Sequence, residues 1–148
     1  MKKLLLLTLA FVLVACAAGG SELSRNREKW QDANITHYRF SINISCFCAF
    51  RDQMPLVAEV LNGEIVSLTG SDGSVIAVDD PNYELFSKYA TIDRLFSELE
   101  AGLGGGADAV TVTYDSTYGF PTESSIDFIT EAADDELYLS ASGLEALP

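Results

Sequence analysis

Three cysteines, one histidine and four prolines are all that this 148-residue chain offers of the residue types that staple, ligate or break a fold. Three cysteines are too few for a disulfide-dense mini-protein, and a single histidine leaves little room for a His-rich metal site. Basic residues are scarce as well: 9 lysines and arginines face 22 aspartates and glutamates, a formal net charge of −13. That balance repels nucleic acid and anionic headgroups, so nucleic acid is not expected as a partner. Enzyme templates are missing. There is no Gly-x-Ser-x-Gly elbow, no phosphate-binding loop and no His-Glu-x-x-His, and no motif calls for a cofactor. His37 has no evident serine or cysteine partner, and no spacing singles out a carboxylate pair for glycoside hydrolysis. What is present is core: 48% apolar against 21% charged residues excludes a disordered tail and suffices for one domain.

Residues 1–15 read as a signal peptide. Lys2 and Lys3 precede Leu4–Val14, eleven residues without a charge. At about 1.5 Å rise such a run covers ~16 Å, roughly half of a hydrocarbon core of about 30 Å, too short to cross as a helix. It is apolar all round and lacks the polar face of a surface-packed helix. The run closes on Leu13-Val14-Ala15-Cys16, which resembles the lipobox of bacterial lipoproteins. The resemblance implies a diacylglyceryl group on the Cys16 thiol, cleavage after Ala15, and palmitate-type chains that anchor Cys16 in a membrane. Two or three chains, at about 0.8 kcal/mol per buried methylene, hold firmly where one is marginal. Loss of residues 1–15 removes Lys2 and Lys3 and no acid, so the mature chain is two units more negative. Residues 16–22 are then the lipidated cysteine and a flexible tether, and 23–148 a single domain. The expected location is the bacterial cell envelope, on its periplasmic or outer-surface side.

Within that domain the hydrophobic period names the elements. Ser21 or Ser24 caps a first helix to about Asn34, anchored by Leu23 and Trp30. Tyr38, Phe40, Ile42, Ile44, Cys46 and Cys48 then alternate with mostly polar residues, the clearest strand in the chain. Pro55–Leu61 and Glu64–Leu68 flank Asn62-Gly63, the hairpin signal of a type I′ turn. Val75–Val78 is a candidate short strand between turn clusters. Ile92, Leu95, Phe96, Leu99 and Leu103 form one helical stripe, with Thr91 as cap and Gly104–Gly106 as stop. Val110–Tyr114, Ser124–Phe128 and Leu137–Ala141 complete the set. The order predicts an α+β domain, two helices on a mainly antiparallel sheet of about five to six strands.

Three groups of residues are candidate sites. With Cys16 consumed by lipid, Cys46 and Cys48 are left as a pair, and an oxidising compartment favours a disulfide. Geometry resists it, since i and i+2 in a regular strand lie about 6.6 Å apart, near the upper limit of about 6.8 Å for a bridge. The strand would have to bend at Phe47. A structural disulfide or buried thiols, a strained redox-active disulfide, and a copper(I) thiolate site completed by His37 or Met54 remain open. His37, at the start of the strand, is expected at the surface. The second group is the acidic C-terminal region, where Asp127, Asp134, Asp135 and Glu136 are weak calcium candidates. Calcium wants about six to eight oxygens, no calcium-loop motif is present, and a solvated acidic loop is the competing reading. The third is the turn Tyr114–Thr122, in which Asp115, Tyr118 and Phe120 form a candidate ligand or partner loop, or fold back over the sheet.

Trp30, Ile35–Phe40, Cys46-Phe47-Cys48, Val60–Gly63, Thr91–Phe96, Tyr114-Asp115, Tyr118–Thr122, Asp127 and Asp134–Glu136 occur in that order. The string resembles the bacterial lipoprotein family known as domain of unknown function 6174, over about Trp30 to Leu144. The resemblance implies a single envelope domain and gives weight to the cysteine pair and the Tyr-Gly-Phe-Pro turn; it supplies no activity, cofactor or catalytic residue. The expected function is a lipid-anchored, non-enzymatic binding or scaffolding module, whose partner is an envelope protein or a small ligand. The alternative is a thiol–disulfide or metal-handling accessory protein acting through Cys46 and Cys48.

Overall fold

A computed structural model describes residues 20–148. The signal peptide over 1–15 and the lipidation at Cys16 lie outside the described residues. No helix among the described residues is long and apolar enough to cross a membrane. Helix α1 covers residues 20–33 of the described chain.

Six strands follow: β1 (His37–Ser45), β2 (Leu56–Leu61), β3 (Glu64–Thr69), β4 (Ala109–Tyr114), β5 (Pro121–Asp127) and β6 (Leu137–Ala146). They form one sheet in the order β3-β2-β1-β6-β5-β4, and every neighbouring pair is antiparallel. Two three-stranded meanders are thus joined edge to edge by β1 and β6. The β2–β3 turn has Asn62 at φ 52° and Gly63 at φ 82°, the two positive values that a type I′ turn requires. Between the meanders lie the short α2 (Tyr83–Ser87) and α3 (Ile92–Ala101). Thr91 caps α3 by accepting the Arg94 amide at 3.1 Å.

One face of the sheet carries the core. Tyr38, Phe40, Ile42 and Ile44 of β1 are buried with Leu137, Leu139 and Ala141 of β6 and the α3 stripe Ile92, Leu95, Phe96 and Leu99. Trp30 of α1 meets the Tyr38 ring edge-on at 5.3 Å, and Arg27 of α1 sits 5.4 Å over Phe96 and pairs with Glu100 at 2.8 Å. Those contacts fix both long helices on the same side. The other face is left to water and to polar side chains such as Thr111, Ser125 and Ser140, around a shallow depression of about 270 Å³.

The α+β architecture is as the periodicity predicts, but four local expectations change. β1 ends at Ser45 rather than continuing through Cys48. Val75–Val78 is not a strand: Val75 makes one bridge to Thr69, and only Ile76 turns inward, because the Asp79-Asp80-Pro81 turn follows at once. The helix α2 carries a single buried residue, Phe86, too little for a periodic signal. α3 gives way at Gly102 to a wider turn through Gly106, where Gly105 takes φ 105°.

Candidate functional site

The chain leaves the sheet after Ser45 and doubles back within three residues. The Cys48 amide donates to the Cys46 carbonyl at 2.8 Å, and the two Cα atoms close to 5.2 Å. That contraction, below the extended spacing of about 6.6 Å, places the two sulfurs at bonding distance. The bend falls at Phe47, as the geometry required. It also throws that side chain outward, leaving it 80% exposed. Phe50 anchors the following turn by burying its ring edge-on against Phe86 of α2, at 5.0 Å.

Across from this turn lies the acidic loop between β5 and β6. The pairing of β1 with β6 aligns Ser45 with Tyr138 and Ile44 with Leu139, so the end of β1 stands beside the start of β6. An open cleft of about 230 Å³ separates the two, with Cys46, Phe47, Cys48 and Leu85 on one side and Phe128 and Asp134–Glu136 on the other. A smaller cleft of about 180 Å³ continues past Cys46 towards Arg51 and Tyr138. Two groups of candidate residues, some ninety positions apart in the chain, therefore form one site.

Its electrostatics are unbalanced. Burial pushes the Asp127 carboxyl above its usual range, and the neighbouring charges of Asp135, Glu136 and Asp108 push it further, against a smaller opposing hydrogen bond from the Ile129 amide. Asp127 is only partly buried as a residue, but its Oδ1 is enclosed, as are both carboxylate oxygens of Asp135, and none of the three has a hydrogen-bond partner. Asp108 is better served, accepting from the Thr130 amide at 2.9 Å. None of the ion pairs among the described residues involves Asp127, Asp134, Asp135 or Glu136. Among the described residues no three His, Cys, Asp or Glu side chains are grouped so as to hold a metal ion. The calcium candidates thus converge without forming a coordination sphere.

The ligands considered for copper(I) are divided. Met54 lies near the turn, its sulfur accepting the Ile44 amide at 3.4 Å, but His37 opens β1 and the cysteines follow its last residue. Eight residues of strand put about 26 Å between the two ends. His37 is not a free surface residue either. Its side chain is 23% exposed, with Nδ1 2.9 Å from the Pro148 main-chain oxygen and Nε2 3.1 Å from Glu59. Those contacts raise its pKa above the ordinary value, the Pro148 hydrogen bond most.

The third candidate loop is a clamp on α1. Asp115 accepts the amides of Thr117 and Tyr118 at 2.9 and 2.6 Å, which uses its carboxylate within the turn. Gly119, at φ +78°, lies so close to α1 that a Cβ there would stand 2.6 Å from the Asn26 carbonyl oxygen. Phe120 is buried edge-on against Trp30, at 6.4 Å, and Lys29 donates to the Ser116 carbonyl. Phe120 is therefore removed from the partner surface for which it was a candidate, and of the three residues only Tyr118 remains exposed. The residues that sequence reasoning missed are Leu85 and Phe128, both exposed and apolar on the cleft wall, and Phe128 is followed by the exposed Ile129. Neighbouring apolar residues at 128–129, just before an acidic loop, were the available signal.

A family model described as "Family of unknown function (DUF6174)" matches residues 22–146. No curated protein and no solved structure matches.

Proposed function

The chain belongs to the DUF6174 family, and from that premise we propose that it is a lipid-anchored, non-enzymatic envelope module that binds a partner through the cleft beside Cys46–Cys48. One observation carries the reading: exposed apolar side chains and carboxylates that make no ion pair, those of Asp134, Asp135 and Glu136, line the same cleft. Scattered exposed apolar residues are ordinary on a protein surface, whereas a cluster around a concavity marks an interaction site. The sequence adds the address. If Cys16 is the acylated first residue, it lies four positions before Gly20, where the described part of α1 begins, a span of at most ~14 Å. The anchor would then lie at the end of the sheet opposite the cleft, because Glu22 stands near Tyr114 and Asn26 packs against Gly119, whereas the cleft adjoins the other ends of β5 and β6. His37 has both ring nitrogens engaged, by the Glu59 carboxylate and the Pro148 main-chain oxygen, and no serine or cysteine stands among those partners.

The test places a photoreactive residue at Phe47, and separately at Val66 on the far edge strand, in cells producing the full chain. A discrete adduct from position 47 and none from position 66 is the expected result; equal labelling from both would remove the cleft from the reading. Intact mass of the membrane-extracted chain reports the acyl groups on Cys16, and an unacylated, unprocessed chain would end the anchor proposal.

A second reading is thiol–disulfide exchange, favoured by the two sulfurs at bonding distance on the cleft wall, with both cysteines only partly buried. A partner thiolate would attack one sulfur to form a mixed disulfide, releasing the other as a thiolate. Full biological activity in a Cys46→Ser, Cys48→Ser double variant would be fatal to it.

A further inference from the structure

We infer that the free edge of β4 receives an extended segment of a partner protein, as long as β4 itself and basic at its ends, as a seventh strand of the sheet. The inference goes beyond the cleft reading and does not rest on it. An open sheet has two edges, and this one treats them differently. At β3 the returning segment 74–76 lies against the outer side. There the Ile76 amide donates to the Leu68 carbonyl at 2.8 Å, the Gly70 amide to the Ser74 carbonyl at 2.9 Å, and Val75 bridges Thr69. The exposed Glu64 puts a charge at the other end of that strand. None of these devices is present at β4 among the described residues. β4 stands last in the strand order, and its backbone pairs with β5 alone. Ala109–Tyr114 holds no charge and no proline, and its valines and threonines favour the extended state. Proteins blunt edges with charges, prolines or covering loops, because an open row of N–H and C=O groups pairs with extended chain. A bare edge opposite a covered one marks a place for a strand from outside.

The side chains of β4 set the pattern of that strand. Val110, Val112 and Tyr114 pack against the core yet stay only half-buried, since the last strand gives them no neighbour on its outer side. Thr111 and Thr113 are exposed on the other face. A segment that alternates apolar and hydroxyl residues meets both rows, covering the half-buried side chains on one face and pairing with the threonines on the other. Charge selects its ends. Asp108 and Asp115 flank the uncharged strand, in a chain of formal net charge −13. A second copy pairing antiparallel through β4 would bring Asp108 of one chain beside Asp115 of the other, with the whole of both charges of one sign. A lysine or arginine at each end of an incoming segment is attracted at both positions instead.

The test uses the purified full chain and a fluorescent synthetic octapeptide, lysine at each end and alternating valine and threonine between, read by anisotropy at physiological salt. Saturable binding is expected, weakened about tenfold by Thr111→Lys, a side chain that is exposed in the native fold. Val66→Lys adds the same charge at an exposed position of β3 and should leave the affinity unchanged. The same peptide N-methylated throughout keeps its side chains and charge but donates no backbone hydrogen bond, and it should not bind. Hydrogen exchange of the native chain gives a readout that needs no variant: the peptide should slow the amides of 109–114 and leave those of 64–69 as they were. Equal affinity for the N-methylated peptide, or for one with glutamate ends, would overturn the inference. So would equal weakening by both lysine substitutions, or no saturable binding at all. Loss of binding in Phe47→Ser would place the peptide in the cleft and refute the edge. A dimer that Thr111→Lys dissociates in sedimentation would make a second copy the occupant and refute the partner segment.

Discussion

Replacing Tyr38 with Phe removes one oxygen atom and nothing else from the centre of the domain. Tyr38 is 2% exposed, and its hydroxyl accepts the amide of Ile92, the first residue of α3, at 3.1 Å. That amide is one of the four at a helix start that find no partner within the helix. Thr91 satisfies the Arg94 amide, so the two side chains divide the cap between them. Phenylalanine keeps the ring contact with Trp30 and opens no cavity of consequence, so the loss is that of a buried donor left unpaired, about 1–2 kcal/mol. At ~2.1 cal/mol/K per residue, a domain of about 130 residues unfolds with ~0.27 kcal/mol/K of entropy, and the melting temperature should fall by ~4–7 °C. Calorimetry of the two proteins at neutral pH measures it. A second readout separates the hydroxyl from general packing. Burial raises the Tyr38 pKa to about 12 from an ordinary 10.0. A group whose folded pKa is raised stabilises the fold below its unfolded pKa, and that stability is lost as pH rises from about 10 towards 12. The native protein should therefore lose more stability than Tyr38→Phe over that range. A melting temperature within about 1 °C of native, or parallel decline of both proteins in alkali, would refute the reasoning.

Gly119→Ala forces a Cβ to 2.6 Å from the Asn26 carbonyl at a φ that disfavours any side chain, so a loss above ~2 kcal/mol is expected in urea unfolding. Asp135→Asn should raise the melting temperature of the unliganded protein at neutral pH, because it removes a charge beside Asp127. The Asp127 carboxyl is held above its ordinary 3.8, so the penalty on its ionised form appears as pH rises through the raised value; in acid below 3.8 the gain from Asp135→Asn should vanish. The Cys46–Cys48 bond closes a loop of only about three residues, so reducing it removes ~1.6 kcal/mol of chain-entropy stabilisation and the melting temperature should fall by about 6 °C. No change with reductant would mean two free thiols.

Much of the fold was legible because its signals are local. The alternation from Tyr38 to Ile44, the Asn62-Gly63 turn and the stripe from Ile92 to Leu99 each state a backbone conformation within a few residues. The same locality misled at the end of β1. Cys46 and Cys48 continue the alternation in sequence, but the backbone has already left the sheet at Ser45. α2 was silent because one buried Phe86 makes no period. In the turn after β4, Asp115, Gly119 and Pro121 announced the bend, yet only α1 packed against it decided that Phe120 goes inward and Tyr118 outward.

By itself, then, the sequence determined the compositional class, the α+β class, the apolar run at 4–14 and the residue types available for chemistry, since each follows from neighbours in the chain. Only the tertiary structure decided where they meet. The pairing of β1 with β6 joins segments about a hundred residues apart, and no local preference encodes that pairing because its energy arises only when the two halves of the sheet bury a common core. From that one junction come the cleft and the meeting of the cysteine turn with the acidic loop.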